Sequence, residues 1–181
     1  MDKHPDVERI MLDEATIEKR VKELAVQLDK LYDGHTPVVV CILKGSVLFF
    51  ADLVRNMKTS LTIDFMSVSS YGSGTKSTGE LTIKKDLSTD IKGRDVLIVE
   101  DIIDSGNTLY KLKKMLIERA PASVNIVTLL DKPERREKPI EPEYTGFVIE
   151  DEFVIGYGLD YAEEYRNLPY IGILKRSVYE K

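Results

Sequence analysis

Asp95-Val96-Leu97-Ile98-Val99-Glu100-Asp101-Ile102-Ile103-Asp104-Ser105-Gly106-Asn107-Thr108-Leu109 decides the fold of this 181-residue chain. Asp95 to Val99 reads as a buried strand. Leu109 to Arg119 reads as a helix, with Leu109, Leu112, Met115 and Leu116 at helical spacing. Two adjacent carboxylates, Glu100 and Asp101, follow the strand, and one reading of them is a solvated acidic turn. The segment from Asp104 to Thr108 points elsewhere. Gly106 lets a backbone approach an anion, Ser105 and Thr108 add hydroxyl donors, and the helix that follows offers free N–H groups at a positive dipole end. No Gly-Lys-Thr is present, so this is not a nucleotide P-loop. A phosphate cradle beside three carboxylates suits a sugar phosphate. The acids can take ribose hydroxyls and a hydrated Mg²⁺, which prefers oxygen ligands and keeps several waters.

Outward from this stretch the same alternation repeats. Toward the N-terminus, Ile17, Val21, Leu24, Ala25, Leu28 and Leu31 predict a helix from about Leu12 to Tyr32, with Asp13 as N-cap and Gly34 beyond its last turn. Pro37 to Leu43 is a continuous apolar run, the mark of a strand covered on both faces. Val47 to Met57 reads as helix, and the alternation of Leu61, Ile63 and Phe65 as strand. Ser69 to Glu80 is a polar, glycine-rich loop, and Leu81-Thr82-Ile83 is a short strand beyond it. Ser123 to Leu130, Phe147-Val148-Ile149, Phe153-Val154-Ile155 and Tyr170 to Leu174 complete the strands. Strands alternating with helices imply an α/β fold, a doubly wound, mostly parallel sheet flanked by helices. Ligands in such sheets bind beyond the carboxyl ends of the strands, here after Leu43, Val99, Leu130 and Ile155.

Composition narrows the functions. At roughly 100–200 residues per domain, residues 1–181 are expected to form one domain. The net charge of −5 argues against a bulk electrostatic grip on nucleic acid. The apolar runs are far shorter than the ~20 residues of a membrane span, and Met1-Asp2-Lys3-His4-Pro5-Asp6 is too polar for a signal peptide, so a cytoplasmic protein without membrane partners is expected. The one cysteine, Cys41, lies inside an apolar run and reads as a buried, inert thiol. His4 and His35 are far apart and read as surface residues, which leaves a histidine metal site or triad without support.

The segment Val96 to Leu109 resembles the phosphoribosyl pyrophosphate signature of the type I phosphoribosyltransferases. Other segments resemble the hypoxanthine (hypoxanthine-guanine) branch of that family. They are Leu43-Lys44-Gly45 (its pyrophosphate loop), Ser70-Tyr71-Gly72 (the start of its mobile lid), Leu130-Asp131-Lys132-Pro133 (its purine-binding lysine), and Phe153 to Tyr161 with Arg166 (its base-stacking and second-metal segment). The resemblance runs from about residue 8 to 178. It implies the family's fold with a small hood over the site. It also implies Mg²⁺-dependent transfer of a ribosyl 5-phosphate group to hypoxanthine or guanine, with release of pyrophosphate, and a homodimer or homotetramer.

The resemblance also implies roles for individual residues. Ser105, Gly106, Asn107 and Thr108 would hold the 5-phosphate. Glu100 and Asp101 would meet the ribose hydroxyls and a metal ion. Lys44, Gly45, Ser70, Tyr71 and Arg166 would contact pyrophosphate, and the Leu43–Lys44 peptide can be cis in the family. Asp104, beside the purine imidazole edge and the phosphoribosyl group, would accept the proton the purine loses. Lys132, Phe153, Val154 and Asp160 would form the purine side, with Lys132 donating to the 6-oxo group, Phe153 stacking on the base, Val154 reading it through the backbone, and Asp160 also holding a second Mg²⁺.

Each of these has a plainer reading. Asp104 would also serve as a helix N-cap, Lys132 as one more charge in the run Lys132 to Lys138, Lys44 as a solvated strand end, Phe153 as a core residue, and Ser69 to Glu80 as a surface loop. A non-catalytic, nucleotide-sensing regulator on the same fold is the alternative function, because fold does not fix activity. Such a protein needs a basic face, which a net charge of −5 does not favour.

Overall fold

A computed structural model describes residues 3–70 and 81–180. The polar loop expected from Ser69 to Glu80 lies almost entirely outside the described residues, Tyr71 included.

Six strands form the main sheet in the order β4-β3-β2-β5-β6-β7. They are β2 (Val38–Leu43), β3 (Thr62–Ser70), β4 (Leu81–Lys85), β5 (Asp95–Ile103), β6 (Ser123–Asp131) and β7 (Tyr144–Val148). All neighbours run parallel except β3 and β4. Alternating residues of the central strands serve opposite faces. Val39, Cys41, Leu97, Val99, Val127 and Leu129 pack with α1 (Glu14–Leu31) and α2 (Val47–Asn56). Val38, Val40, Ile98 and Ile126 pack with Leu109, Leu112 and Leu116 of α3 (Asn107–Ile117). Both faces are therefore apolar, which is why these strands read as unbroken runs. Cys41 is fully buried and its thiol is pushed up to about 11 by burial, with Ser46 Oγ 3.3 Å away.

A second, antiparallel sheet of β1 (Val7–Leu12), β9 (Ile171–Leu174) and β8 (Val154–Ile155) lies in the order β1-β9-β8. Val154, Ile171 and Ile173 insert into the same apolar cluster as α1 and α2, so the small sheet is seated on the main body. α4 (Arg176–Tyr179) follows β9.

Several boundaries differ from the sequence reading. Leu12 closes β1, and α1 begins only after Asp13, whose carboxylate accepts the Thr16 N–H at 2.7 Å. β5 does not stop at Val99. Pairing of Ile102 with Leu130 and Ile103 with Asp131 carries the strand through both acids. β7 lies earlier than Phe147-Val148-Ile149, fixed by pairing of Tyr144 with Val127. His35 is exposed, whereas His4 is half-buried, its ring edge-on to Tyr165 at 5.3 Å.

Candidate active site

The carboxyl ends of β2 and β5 frame a cleft of about 330 Å³. Its lining brings together Lys44, Gly45, Glu100, Asp101, Asp104 to Thr108, Asp160 and Arg166. Sequence segments more than 100 residues apart thus meet where the topology of an open parallel sheet places ligands.

The floor is β5 itself. Glu100 and Asp101 are half-buried, and Glu100 Oε2 has no hydrogen-bond partner among the described residues. Burial, reinforced by the neighbouring Asp101 charge, holds the Glu100 carboxyl well above its usual range. Burial also raises Asp101 to about 6, against the pull of the Ile102 N–H and the Arg166 charge. Buried carboxylates of this kind are stabilised by a cation or by hydroxyl donors.

One wall is the turn into α3. Gly106 takes φ +76° and forms the helix N-cap. A Cβ there would run into Ile140 and Arg136, so both conformation and space require glycine. Asp104 is therefore not the cap, and that plainer reading of it is corrected. The first turn of α3 leaves its N–H groups without intrahelical acceptors, facing the cleft. The turn is braced from behind. Ser105 O accepts from Glu137 N at 3.0 Å and Lys138 N at 3.3 Å, and Asn107 Nδ2 donates to Glu137 Oε2 at 2.7 Å and Ser105 Oγ at 3.1 Å. Arg136, clamped on Asp131, donates to Asp104 O at 3.3 Å.

The opposite wall is Lys44-Gly45, reached through a cis Leu43–Lys44 peptide. A Cβ on Gly45 would occupy the position of the Asp101 carboxylate, and one on Gly158 would meet the Gly45 carbonyl. Three chain segments close together here because two of the residues have no side chain. Arg166 donates to Gly158 O at 2.7 Å and pairs with Asp160 at 2.8 Å. Glu163 Oε2 joins Arg166 at 3.2 Å to Lys44 Nζ at 3.0 Å. Arg166 Nε is buried without a partner among the described residues.

Lys132, Phe153 and Val154 lie outside the lining of this cleft; Lys132 follows β6, and its N–H donates to the carbonyl of Ile103, which is in the lining. Lys132 is not a solvated member of a charged run. It is 7% exposed, and its ammonium donates to Glu152 O at 2.7 Å and Asp151 Oδ1 at 3.3 Å. Phe153 is not a core residue. It is 38% exposed, stacked on Tyr179 at 4.8 Å and edge-on to Tyr161 at 5.6 Å. Val154 is buried on the edge strand β8. Ser70 ends β3, but its side chain is outside the described part. Glu163, Arg135 and Arg136 were missed in the sequence. Each sits among other charges, and no residue pattern sets it apart.

Among the described residues no group of three or more His, Cys, Asp or Glu side chains forms a ready-made metal cage, and no helix is long and apolar enough to cross a membrane.

The family model for the phosphoribosyl transferase domain matches residues 10–162. The hypoxanthine-guanine phosphoribosyltransferase of Bacillus subtilis (strain 168) is 52% identical over 180 residues, 99% of each chain. A crystal structure of a hypoxanthine phosphoribosyltransferase from Staphylococcus aureus superposes with a TM-score of 0.95 at 53% identity, covering 98% of this chain and 97% of the other. The bifunctional protein TilS/HprT of Listeria innocua is 52% identical over 178 residues, and there the match spans 28% of the longer protein.

Proposed function

This chain belongs to the phosphoribosyl transferase family, and from that premise we propose that it transfers a ribosyl 5-phosphate group from phosphoribosyl pyrophosphate to hypoxanthine or guanine. The products would be the purine ribonucleotide and pyrophosphate, the chemistry of purine salvage. The observation that carries the reading is the cleft, which gathers an anion-binding turn, two half-buried carboxylates and the Lys44/Arg166 wall, with the buried Lys132 bonded through its N–H to the carbonyl of Ile103 in the lining.

In this reading Ser105 to Thr108 hold the 5-phosphate on the N–H groups of α3. Lys44, Gly45 and Arg166 face the pyrophosphate, where the flat fork of Arg166 meets two phosphate oxygens. Ser70 and Tyr71 are further candidates for contact with the pyrophosphate. A bond forms between a purine imidazole nitrogen and C1 of the ribose as the bond from C1 to the pyrophosphate oxygen breaks. Positive charge grows on the sugar ring in the transition state, and Glu100 and Asp101 lie ready to face it, the most productive use of fixed charge. The proton displaced from the purine passes to the carboxylate of Asp104. Lys132 has committed two of its three donors, to Glu152 O and Asp151, and the third serves the purine 6-oxo group. Phe153 stacks on the base, and Val154 reads it through its backbone.

The site fits Mg²⁺. Its donors are oxygens, Glu100 Oε2 is buried and unpartnered, and the raised Asp101 carboxyl gains from a nearby cation. Glu100 and Asp101 would hold one ion. Asp160, whose carboxylate already pairs with Arg166 and accepts the Glu163 N–H, would hold a second. When bound, the metal would neutralise charge on the leaving pyrophosphate.

We place the protein in the cytoplasm, as a homodimer or homotetramer without nucleic-acid or membrane partners. Val47 and Leu48, exposed on α2 beside Lys44-Gly45, support self-association; sedimentation velocity tests it. The decisive assay offers hypoxanthine, guanine, xanthine and adenine with phosphoribosyl pyrophosphate and Mg²⁺. Nucleotide formation from hypoxanthine or guanine is expected, and none from either would defeat the proposal.

A further inference from the structure

Asp104 and Lys132 are joined by a chain of alternating charge that runs through Arg135 and Asp151. Arg135 Nε lies 2.6 Å from Asp104 Oδ1. Its Nη1 donates to both oxygens of Asp151 at 3.1 Å. Asp151 Oδ1 accepts in turn from Lys132 Nζ at 3.3 Å. The backbone sets up the same proximity. Lys132 N donates to Ile103 O at 2.9 Å, and Arg135 N to Lys132 O at 3.1 Å, closing the 3-10 turn Pro133–Arg135 over Asp104.

We propose that Arg135 is a positioning residue that presets the acceptor Asp104 and the donor Lys132 against the N7 and O6 edge of a 6-oxopurine. The inference rests on the function proposed above. One guanidinium fork grips two carboxylates at fixed separation, which a single ammonium does not do. On one side its Nε stands against Oδ1 of Asp104 as an ion pair outside hydrogen-bond geometry, which holds the carboxylate by charge and leaves the other oxygen for the purine proton. On the other it fixes Asp151, which with Glu152 O aims the ammonium of Lys132. The three paired side chains Asp104, Arg135 and Asp151 are 44%, 48% and 48% exposed, so the pairs add little to stability, and their consequence is orientation.

The test compares Arg135→Ala, Arg135→Lys and Asp151→Ala with the native enzyme. Misplacing a reacting group by about 1 Å costs up to about a hundredfold, so Arg135→Ala should lose ten- to hundredfold in kcat/KM for hypoxanthine and guanine. The KM for phosphoribosyl pyrophosphate should stay within twofold. Arg135→Lys should fall between, ethylguanidinium should restore part of the Arg135→Ala loss, and the double variant Arg135→Ala/Asp151→Ala should be no worse than the poorer single variant, since the two act as one unit. Unchanged purine kinetics would overturn the inference. So would single-variant losses that multiply, or a loss that ethylguanidinium leaves untouched. A native protein inactive on both oxopurines would defeat the functional reading, and the role of Arg135 with it.

Discussion

Replacing Asp101 by Asn should make the ligand-free protein more stable while abolishing its activity. Burial raises the Asp101 carboxyl from its ordinary 3.8 to about 6. At 1.36 kcal/mol per pH unit, keeping it ionised at pH 7 costs the fold on the order of 3 kcal/mol. The sign follows from the direction of the shift. A carboxyl raised by folding favours the native state fully below about pH 4, and that contribution disappears as pH rises through about 6. The carboxyls of Asp64, Asp86 and Asp95 are instead lowered by hydrogen bonds, which outweigh burial even where, as at Asp64, burial is the largest single influence. Their stabilisation is lost only as pH falls below about 4, so the interval between about 4 and 6 reports on the raised acids. An Asn side-chain oxygen can still accept the Ile102 N–H held at 2.8 Å, so local geometry should survive. At roughly 2–4 °C per kcal/mol for a chain of this size, Tm at pH 7 should rise by roughly 6–12 °C. Scanning calorimetry of metal-free protein at pH 5 and pH 7, native against Asp101→Asn, measures both height and slope. A variant that melts at or below native at pH 7, or keeps the native pH dependence, would refute the reasoning.

Three further perturbations test other parts of the site. Asp104→Asn should lower kcat by about 10²–10⁴-fold with Tm unchanged, because Gly106 and not Asp104 caps α3; steady-state kinetics showing more than half of native kcat would make Asp104 structural. Gly106→Ala should destabilise by about 1–3 kcal/mol and raise the KM for phosphoribosyl pyrophosphate, since the new Cβ meets Ile140 and Arg136 at a positive φ; urea unfolding checks the first and kinetics the second. Lys132→Ala should cut kcat/KM for hypoxanthine at least tenfold, and the native protein should reject adenine, whose 6-amino donor would leave the buried ammonium facing another donor; comparable native turnover of adenine and hypoxanthine would defeat this.

The central strands were legible because both faces of β2, β5 and β6 are buried, and burial on both faces leaves a continuous apolar run in sequence. β1 was not legible. It pairs only with β9, more than 150 residues away, and Val-Glu-Arg-Ile-Met-Leu shows too little of its buried side to be separated from the helix that follows. The end of β5 failed for a related reason. Glu100 and Asp101 look like a strand terminus because acids usually are one, yet pairing with β6 extends the ladder past them. Adding polar side chains to a buried strand is unfavourable. Their presence there, with both carboxyls raised, marks a place where the fold sacrifices stability for a site.

The same contrast separates the site residues. Groups that act through backbone shape were readable from residue type alone, because the requirement is local: Gly106 at positive φ, the hydroxyls around it, and the helix start beyond. Groups that act through a charged partner were not readable, because the partner comes from a distant element. Lys44 meets Glu163 across 119 positions, and Lys132 leaves the solvated run because β8's approach brings Asp151 and Glu152 to it. Within Lys132 to Lys138 the sequence offers seven consecutive residues of which six are charged. The fold sorts them by where the 3-10 turn points each one. Lys132 goes inward, Arg135 over Asp104, and Arg136 beneath the phosphate turn onto Asp131. A charged surface run and a recognition element can thus share one composition, and the backbone bond from Lys132 to Ile103, made possible by the extra length of β5, is what separates them here.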